Sequence, residues 1–315
     1  MECIGGYFGL ELVPFGEHFH KEAMRLHTAR MGFEYILLAR QYKKVYLPYY
    51  TCEVMLEPLQ KLNVEFEFYP INPNFEPVNT IELQSNEAFL YTNYFGLKQQ
   101  CVEQLAHLYG KCLIVDNSQA FFAPALPGID TFYSPRKFFG VPDGCYLYCD
   151  KKLDIEFTQA VSYDKMSHLL KRLDIGAEAG YGDFKANDMA FSHLPIMWMS
   201  ALTEQMLRNI QYQTVIKIRQ SNFRYLDNAL RKSNQLEVRC EDNAVPMVYP
   251  FLTEDKSLKQ RLIENKIYVA TYWPNVLVWC EEGNWEYRLA QQGCFLPIDQ
   301  RYGDEEMNEI VSYIF

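Results

Sequence analysis

The sequence lacks any uninterrupted apolar run of about 18 residues, the length that a membrane-spanning helix needs. Its richest stretch, Leu194–Leu202 (LPIMWMSAL), is far too short. It also lacks, near Met1, a basic segment leading into an apolar core and a small-residue cleavage site, so no signal peptide is expected. Positive charge is scarce. Thirty Lys and Arg face 40 Asp and Glu, a formal net charge of −10, which leaves no general footprint for nucleic acid. An anionic ligand would need local cations. Paired cysteines are missing too. Cys3, Cys52, Cys101, Cys112, Cys145, Cys149, Cys240, Cys280 and Cys294 are odd in number, scattered, and form no CxxC pair. Reduced thiols in a cytoplasmic protein are expected. His18 and His20 form an HxH pair with no other ligand-like cluster nearby, and read as a solvated surface pair rather than a metal site. No internal repeat or low-complexity segment is visible.

What is present is apolar bulk. Hydrophobic residues make up 49% of the 315 residues, enough for one large domain and one small one. The first half alternates in pattern. A helix is expected near 21–40, a strand over 45–50 (VYLPYY), and a helix over 53–62 weakened by Pro58. The period-two segment 64–71 (VEFEFYPI) reads as a strand, and so do 88–92, 112–115 and 145–149. Between them, 97–109 reads as a helix closed by Gly110. Strands alternating with helices predict an α/β fold with a mostly parallel sheet, whose ligands sit at the carboxyl ends of the strands. A long helical pattern near 197–233 leads to a smaller mixed region: strands near 236–240, 246–252 and 267–272, a helix over 258–265 and a last helix from Asp304. The domain division is placed at 1–215 and 216–315.

Two charged groups stand out at the expected rim. Asp116 ends an apolar strand, and Lys137 follows 21 residues later within SPRKFFG. An aldehyde cofactor with a pyridine ring and a phosphate needs an amine to hold it as a Schiff base and a carboxylate on the ring nitrogen. It also needs hydroxyls and a helix N-terminus around the phosphate, and an aromatic face on the ring. Lys137 is the amine and Asp116 the carboxylate. Thr28 and Ser134 are hydroxyl donors, and Gln119 could reach the phenolic oxygen. No metal ligands are expected.

These segments resemble the nucleotide-sugar aminotransferase family (DegT/StrS type) among the fold-type I enzymes that use pyridoxal 5'-phosphate (PLP). Asp116-Asn117-Ser118-Gln119-Ala120 is similar to that family's Asp-x-x-Gln-Ala, and TFYSPRKFFGVPDGCYLY to its lysine segment. Leu47-Pro48-Tyr49-Tyr50-Thr51-Cys52 is similar to Val-Pro-x-Tyr-Thr, His27-Thr28-Ala29-Arg30-Met31 more loosely to its first helix start, and LPIDQRYGDEEMNEIVSYI to its last strand and helix. The likeness runs along nearly the whole chain. It implies a large PLP-binding domain plus a small C-terminal α+β domain. It implies Lys137 as Schiff-base lysine and proton shuttle, and Asp116 on the pyridinium; for the shuttle, desolvation by Phe138 and Phe139 would lower the basicity of Lys137. It places Gln119 on the 3-hydroxyl, Thr28, Ala29 and Ser134 on the phosphate, and Cys52 beside the ring. It further implies an amino-acid donor, often glutamate, a keto-sugar nucleotide acceptor, and a cytoplasmic homodimer serving polysaccharide biosynthesis. The chain departs from the family at three places. Phe132 stands where the family has a phosphate serine. Cys52 stands where it has a ring-stacking aromatic, so that Tyr50 or Tyr94 could supply the ring. No Gly-x-Asn-x-Arg segment is recognisable near 180–187. Alternatives are another PLP reaction on a sugar, with Lys137 arguing for transfer because the family's dehydrases carry His there, or a degenerate binding protein of the same fold. Trp273 and Trp285 could cover the site or fill the core; Arg288 and Arg301 read as surface or ion-pair residues.

Overall fold

The computed structural model describes residues 4–12 and 16–315. A short strand β1 (Met24–Leu26) leads into helix α1 (Ala29–Arg40). Strand β2 (Lys44–Pro48), helix α2 (Leu56–Leu62), strands β3 (Glu65–Tyr69) and β4 (Glu87–Thr92), helix α3 (Gln99–Tyr109), and strands β5 (Leu113–Asn117), β6 (Asp130–Tyr133) and β7 (Cys145–Tyr148) follow. They build one seven-stranded sheet in the order β1-β7-β6-β5-β4-β2-β3. The pairs from β3 through β6 are parallel; β7 is antiparallel to both its neighbours.

Both faces of the sheet are covered, and the strands show it in their side chains. Val45, Leu47, Leu90, Ile114 and Phe132 alternate onto the face under α1 and α2, while Tyr46, Phe89, Tyr91, Val115 and Tyr133 alternate onto the other. Gly32 lets α1 approach closely. A Cβ there would lie 2.7 Å from Cys145 Sγ and 3.2 Å from Phe132 Cβ.

The expected helix over 21–40 begins only at Ala29, because 24–26 is drawn into the sheet against β7 and Thr28 then caps the helix. The Thr28 hydroxyl accepts from Met31 N at 3.3 Å. Pro58 is accommodated in the first turn of α2, where its missing N–H breaks no intrahelical bond. Strand β6 was hidden in the TFYSPRK stretch. His18 and His20 correct the surface reading. They are 7% and 5% exposed, and they bond to Tyr146 Oη at 2.6 Å and to Phe121 O at 2.7 Å respectively. No group of three metal-ligating side chains occurs among the described residues.

The chain continues through α4 (Ser167–Asp174), α5 (Ala177–Met189), α6 (Ala201–Arg208) and α7 (Tyr212–Leu230). The long helix expected over 197–233 is thus two helices, the first capped by Ser200 and the break lying at 209–211. The division placed at residue 215 falls in the first turn of α7. Beyond it, β8 (Val248–Phe251) joins α8 (Leu258–Glu264), α9 (Val276–Trp279), α10 (Trp285–Gln292), β9 (Cys294–Pro297) and α11 (Asp304–Ser312). β8 and β9 form a two-stranded antiparallel sheet with its own core of Phe223, Leu226, Tyr249, Leu262, Leu296 and Met307. The strands expected at 236–240 and 267–272 do not form. The first begins with Leu236 N held by the Asn234 side chain, and the second contributes one isolated bridge, Ala270 to Phe295. No described helix is long and apolar enough to cross a membrane. The eight cysteines within the described residues are free; Cys3 lies outside them.

Candidate active site

The parallel strands all end on one rim of the sheet, and so do the residues singled out in the sequence. β5 ends with Asp116 and Asn117, β4 with Thr92, which pairs in register with Asp116, and β2 runs on through Tyr50 to Cys52. β6 runs on through Ser134 into a single 3-10 turn, Pro135–Lys137. β1 runs on through His27 and Thr28 into the N-terminus of α1. This is the crevice where sheets of this kind take ligands.

Asp116 is 6% exposed. Its Oδ1 accepts from Ser118 N at 2.7 Å, which leaves the other oxygen free. Burial pushes its carboxyl above the ordinary value, while the Lys137 ammonium and the Ser118 contacts pull it back. The same ammonium acts on the Cys52 thiol, which burial raises and Lys137 lowers. The amine therefore lies close enough to both acid and thiol for its charge to act on them. Lys137 itself is exposed, and no salt bridge joins it to Asp116. Phe138 and Phe139 do not wrap the amine as anticipated. They are 3% and 5% exposed and pack into the core against Phe121 and Phe122. The turn that presents Lys137 sends the next two side chains the opposite way.

Gln119 is wholly buried. Its Oε1 accepts from Phe95 N at 3.2 Å, but its Nε2 has no partner. A buried donor left without an acceptor is costly unless a ligand supplies one. Ser134 is buried but makes no hydrogen bond through its hydroxyl among the described residues, and Ala29 lies half-buried beside Thr28. Phe132 is fully buried against Phe33 on the α1 face of the sheet, so that position is filled by core packing.

Two features go beyond what the sequence settled. The first is Trp273, for which covering the site and filling the core were both open; its ring centroid lies 5.8 Å from Lys137 Nζ, and it is also part of the main core. Tyr50 and Tyr94, the aromatic candidates, are fully buried behind it, Tyr50 edge-on to Trp273 at 5.2 Å. Trp285 also packs, half-buried, against the main core. The second is a buried cluster beneath Thr28. Asp143 accepts from the Ser162 and Ser200 hydroxyls, the latter at 2.6 Å, and lies 4.0 Å from His27 Nε2. Burial lowers the His27 pKa, which Asp143 opposes, and its Nδ1 has no partner. Arg288 and Arg301 sit in ion pairs with Glu254 and Asp299, as expected. A cavity of about 810 Å3 lies between α7 and the 234–244 loop and shares no residue with this rim.

No family model matches the sequence, and no curated protein matches it. Solved structures do match its fold. A DegT/DnrJ/EryC1/StrS aminotransferase from Brucella abortus has a TM-score of 0.65 at 14% identity, over 93% of this chain and 84% of that one. S. venezuelae DesV, solved in complex with a ketimine intermediate, has 0.60 at 13%, over 96% and 86%. The E. coli GDP-4-keto-6-deoxy-D-mannose-3-dehydratase, solved with hydrated PLP, has 0.62 at 12%, over 93% and 87%. The chain has the fold of these enzymes, with the expected mostly parallel sheet flanked by helices.

Proposed function

We propose that this chain is a PLP-dependent aminotransferase that moves an amino group from an amino acid, glutamate being the expected donor, to a keto-sugar nucleotide. The observation that carries the proposal is the Lys137 amine near Trp273 and close enough to the buried Asp116 carboxyl to act on it, with the unpartnered Gln119 amide three residues further along the same loop. The residues fit the cofactor at each of its polar ends. Gln119 Nε2 lacks the acceptor that a phenolic oxygen would provide, Asp116 keeps one oxygen free, and the α1 N-terminus with Thr28, Ala29 and Ser134 suits a phosphate. When bound, PLP supplies an electron sink for the carbanion left by α-proton removal.

The chain's own groups do the rest. Lys137 would hold the aldehyde and, once released, would carry the proton at the substrate α-carbon. Asp116 would hold the ring nitrogen and keep it protonated. Trp273 and Cys52 would wall the ring and exclude water. Lys137, where the family's dehydrases carry His, favours transfer over the dehydration for which the E. coli neighbour is named.

The remaining elements of the reading are a homodimer, a cytoplasmic location, a role in polysaccharide biosynthesis, and a division into a large domain, 1–215, and a small one, 216–315. The α4–α5 pair supports the dimer. It exposes Leu173, Ile175, Tyr181 and Met189, with Leu173 83% exposed, an apolar face that a second copy would cover. The test is chemical. The purified protein is mixed with PLP, reduced with borohydride and digested; the phosphopyridoxyl group should sit on the peptide containing Lys137, and glutamate should release 2-oxoglutarate. A group fixed on another lysine, or unchanged labelling of Lys137→Ala, removes the assignment.

A further inference from the structure

Arg219, midway along α7, is 1% exposed, yet no carboxylate lies within salt-bridge distance of it among the described residues. Its donors all go to neutral oxygens. Nε reaches Gln300 Oε1 at 3.0 Å, Nη1 reaches Pro246 O at 3.3 Å and Met247 O at 3.1 Å, and Nη2 reaches Phe138 O at 3.4 Å. The guanidinium carbon lies 4.6 Å from the centroid of the Phe138 ring. Gln300 Nε2 donates to the same Phe138 carbonyl at 2.7 Å. A buried cation without a counter-ion is costly to keep. Desolvation lowers its pKa to about 10, an effect that Asp299 opposes. An apolar side chain would fill this volume at less cost, so the bonds it makes are its distinguishing contribution.

They lead to both sides of the candidate site. Phe138 closes the turn that presents Lys137, its N–H bonded to Pro135 O at 2.9 Å. Met247, whose carbonyl Arg219 holds, donates its N–H to Phe95 O at 2.8 Å, and Phe95 N donates to Gln119 Oε1. Gly96 makes that approach possible. Its φ is +75°, and a Cβ would lie 3.1 Å from Val245 O.

We propose that Arg219, acting with Gln300, is a positioning residue that sets the Lys137 turn and the Gln119 amide against each other from the C-terminal region. Its consequence for chemistry rests on the aminotransferase reading; its consequence for the two loops does not. Gln300→Met and Arg219→Met are compared with the parent and with Arg301→Ala, which lies beside Gln300 but pairs with Asp299. In amide hydrogen exchange without PLP, Phe138, Phe139 and Met247 should lose about tenfold or more of their protection, while Leu90 and Val115 in the sheet keep theirs and Arg301→Ala changes none. Gln300→Met carries the test alone if Arg219→Met does not fold. With PLP bound, the pH midpoint of the visible band should move by about half a unit or more in Gln300→Met and stay put in Arg301→Ala. Unchanged exchange at Phe138 and Phe139 in a folded Gln300→Met overturns the proposal. Altered exchange with an unmoved midpoint overturns the positioning role and leaves a structural one. A parent with no visible band refutes the aminotransferase reading instead, and the exchange data alone then decide whether Arg219 and Gln300 hold the two loops.

Discussion

Acid should destabilise this protein through His18 and His20. Both are buried, and both have pKa values lowered from 6.5 to about 4. For His18 the main cause is burial, reinforced by Arg25 and Arg208 and opposed by Glu17; for His20 it is burial, opposed by the Phe121 carbonyl. Neutral His20 is fully satisfied where it sits, one ring nitrogen on Phe121 O at 2.7 Å and the other on Tyr148 Oη at 3.2 Å. The unfolded chain takes up a proton at each histidine once the pH falls below about 6.5, whereas the folded chain does not until about pH 4. The stability these groups supply is therefore intact above 6.5, falls with pH across that window and levels off below about 4. Integration gives a loss of about 2 kcal/mol per histidine on going from about pH 7.5 to about pH 5, and about 3 kcal/mol per histidine at the limit. Urea unfolding at those two pH values measures it. The double variant His18→Gln/His20→Gln should lose about 4 kcal/mol less than the parent over that interval, whatever its stability at neutral pH. If parent and variant lose stability equally, the two histidines are not held neutral and their burial against Tyr146 and Phe121 is wrong.

Two further perturbations probe the rim. Asp116→Asn should keep PLP attached at Lys137 but lower glutamate-dependent turnover by about 10²–10³-fold, measured as 2-oxoglutarate release, because the neutral amide has no charge with which to keep the ring nitrogen protonated. Gly96→Ala should destabilise the fold by about 1–3 kcal/mol in urea unfolding, because alanine must adopt φ +75° and press against Val245 O at 3.1 Å.

The elements that the sequence made legible are those whose signal is local. Strands β3, β4 and β5 are period-two or compact apolar runs, and α11 begins where three consecutive acids, Asp304 to Glu306, meet the helix N-terminus. Asp116, Gln119 and Lys137 were singled out because a strand's end and the turn after it are fixed by adjacent residues. The failures are of a different kind. His18 and His20 read as polar, and are buried because Tyr146, Tyr148 and Phe121 happen to lie opposite them. The expected strand at 267–272 has strand-like residues but finds only one bridge, at Ala270. Phe138 and Phe139 were expected beside the Lys137 amine, and the turn geometry sends them into the core instead.

The chain order of apolar and polar residues alone determined that a mostly parallel sheet would form with Asp116 and Lys137 at the carboxyl ends of its strands, because strand period and turn chemistry act over a few residues. Only the tertiary structure decided that Trp273, rather than Tyr50, Tyr94 or Cys52, lies over the Lys137 amine, and that Arg219 and Gln300 grip the Phe138 carbonyl. Those contacts join residues more than 80 positions apart, and no local preference of the backbone encodes them. They exist because the core on one face of the seven-stranded sheet runs on into the C-terminal region, through Met247, Val248, Trp273 and Phe295, and brings that region's side chains against the rim.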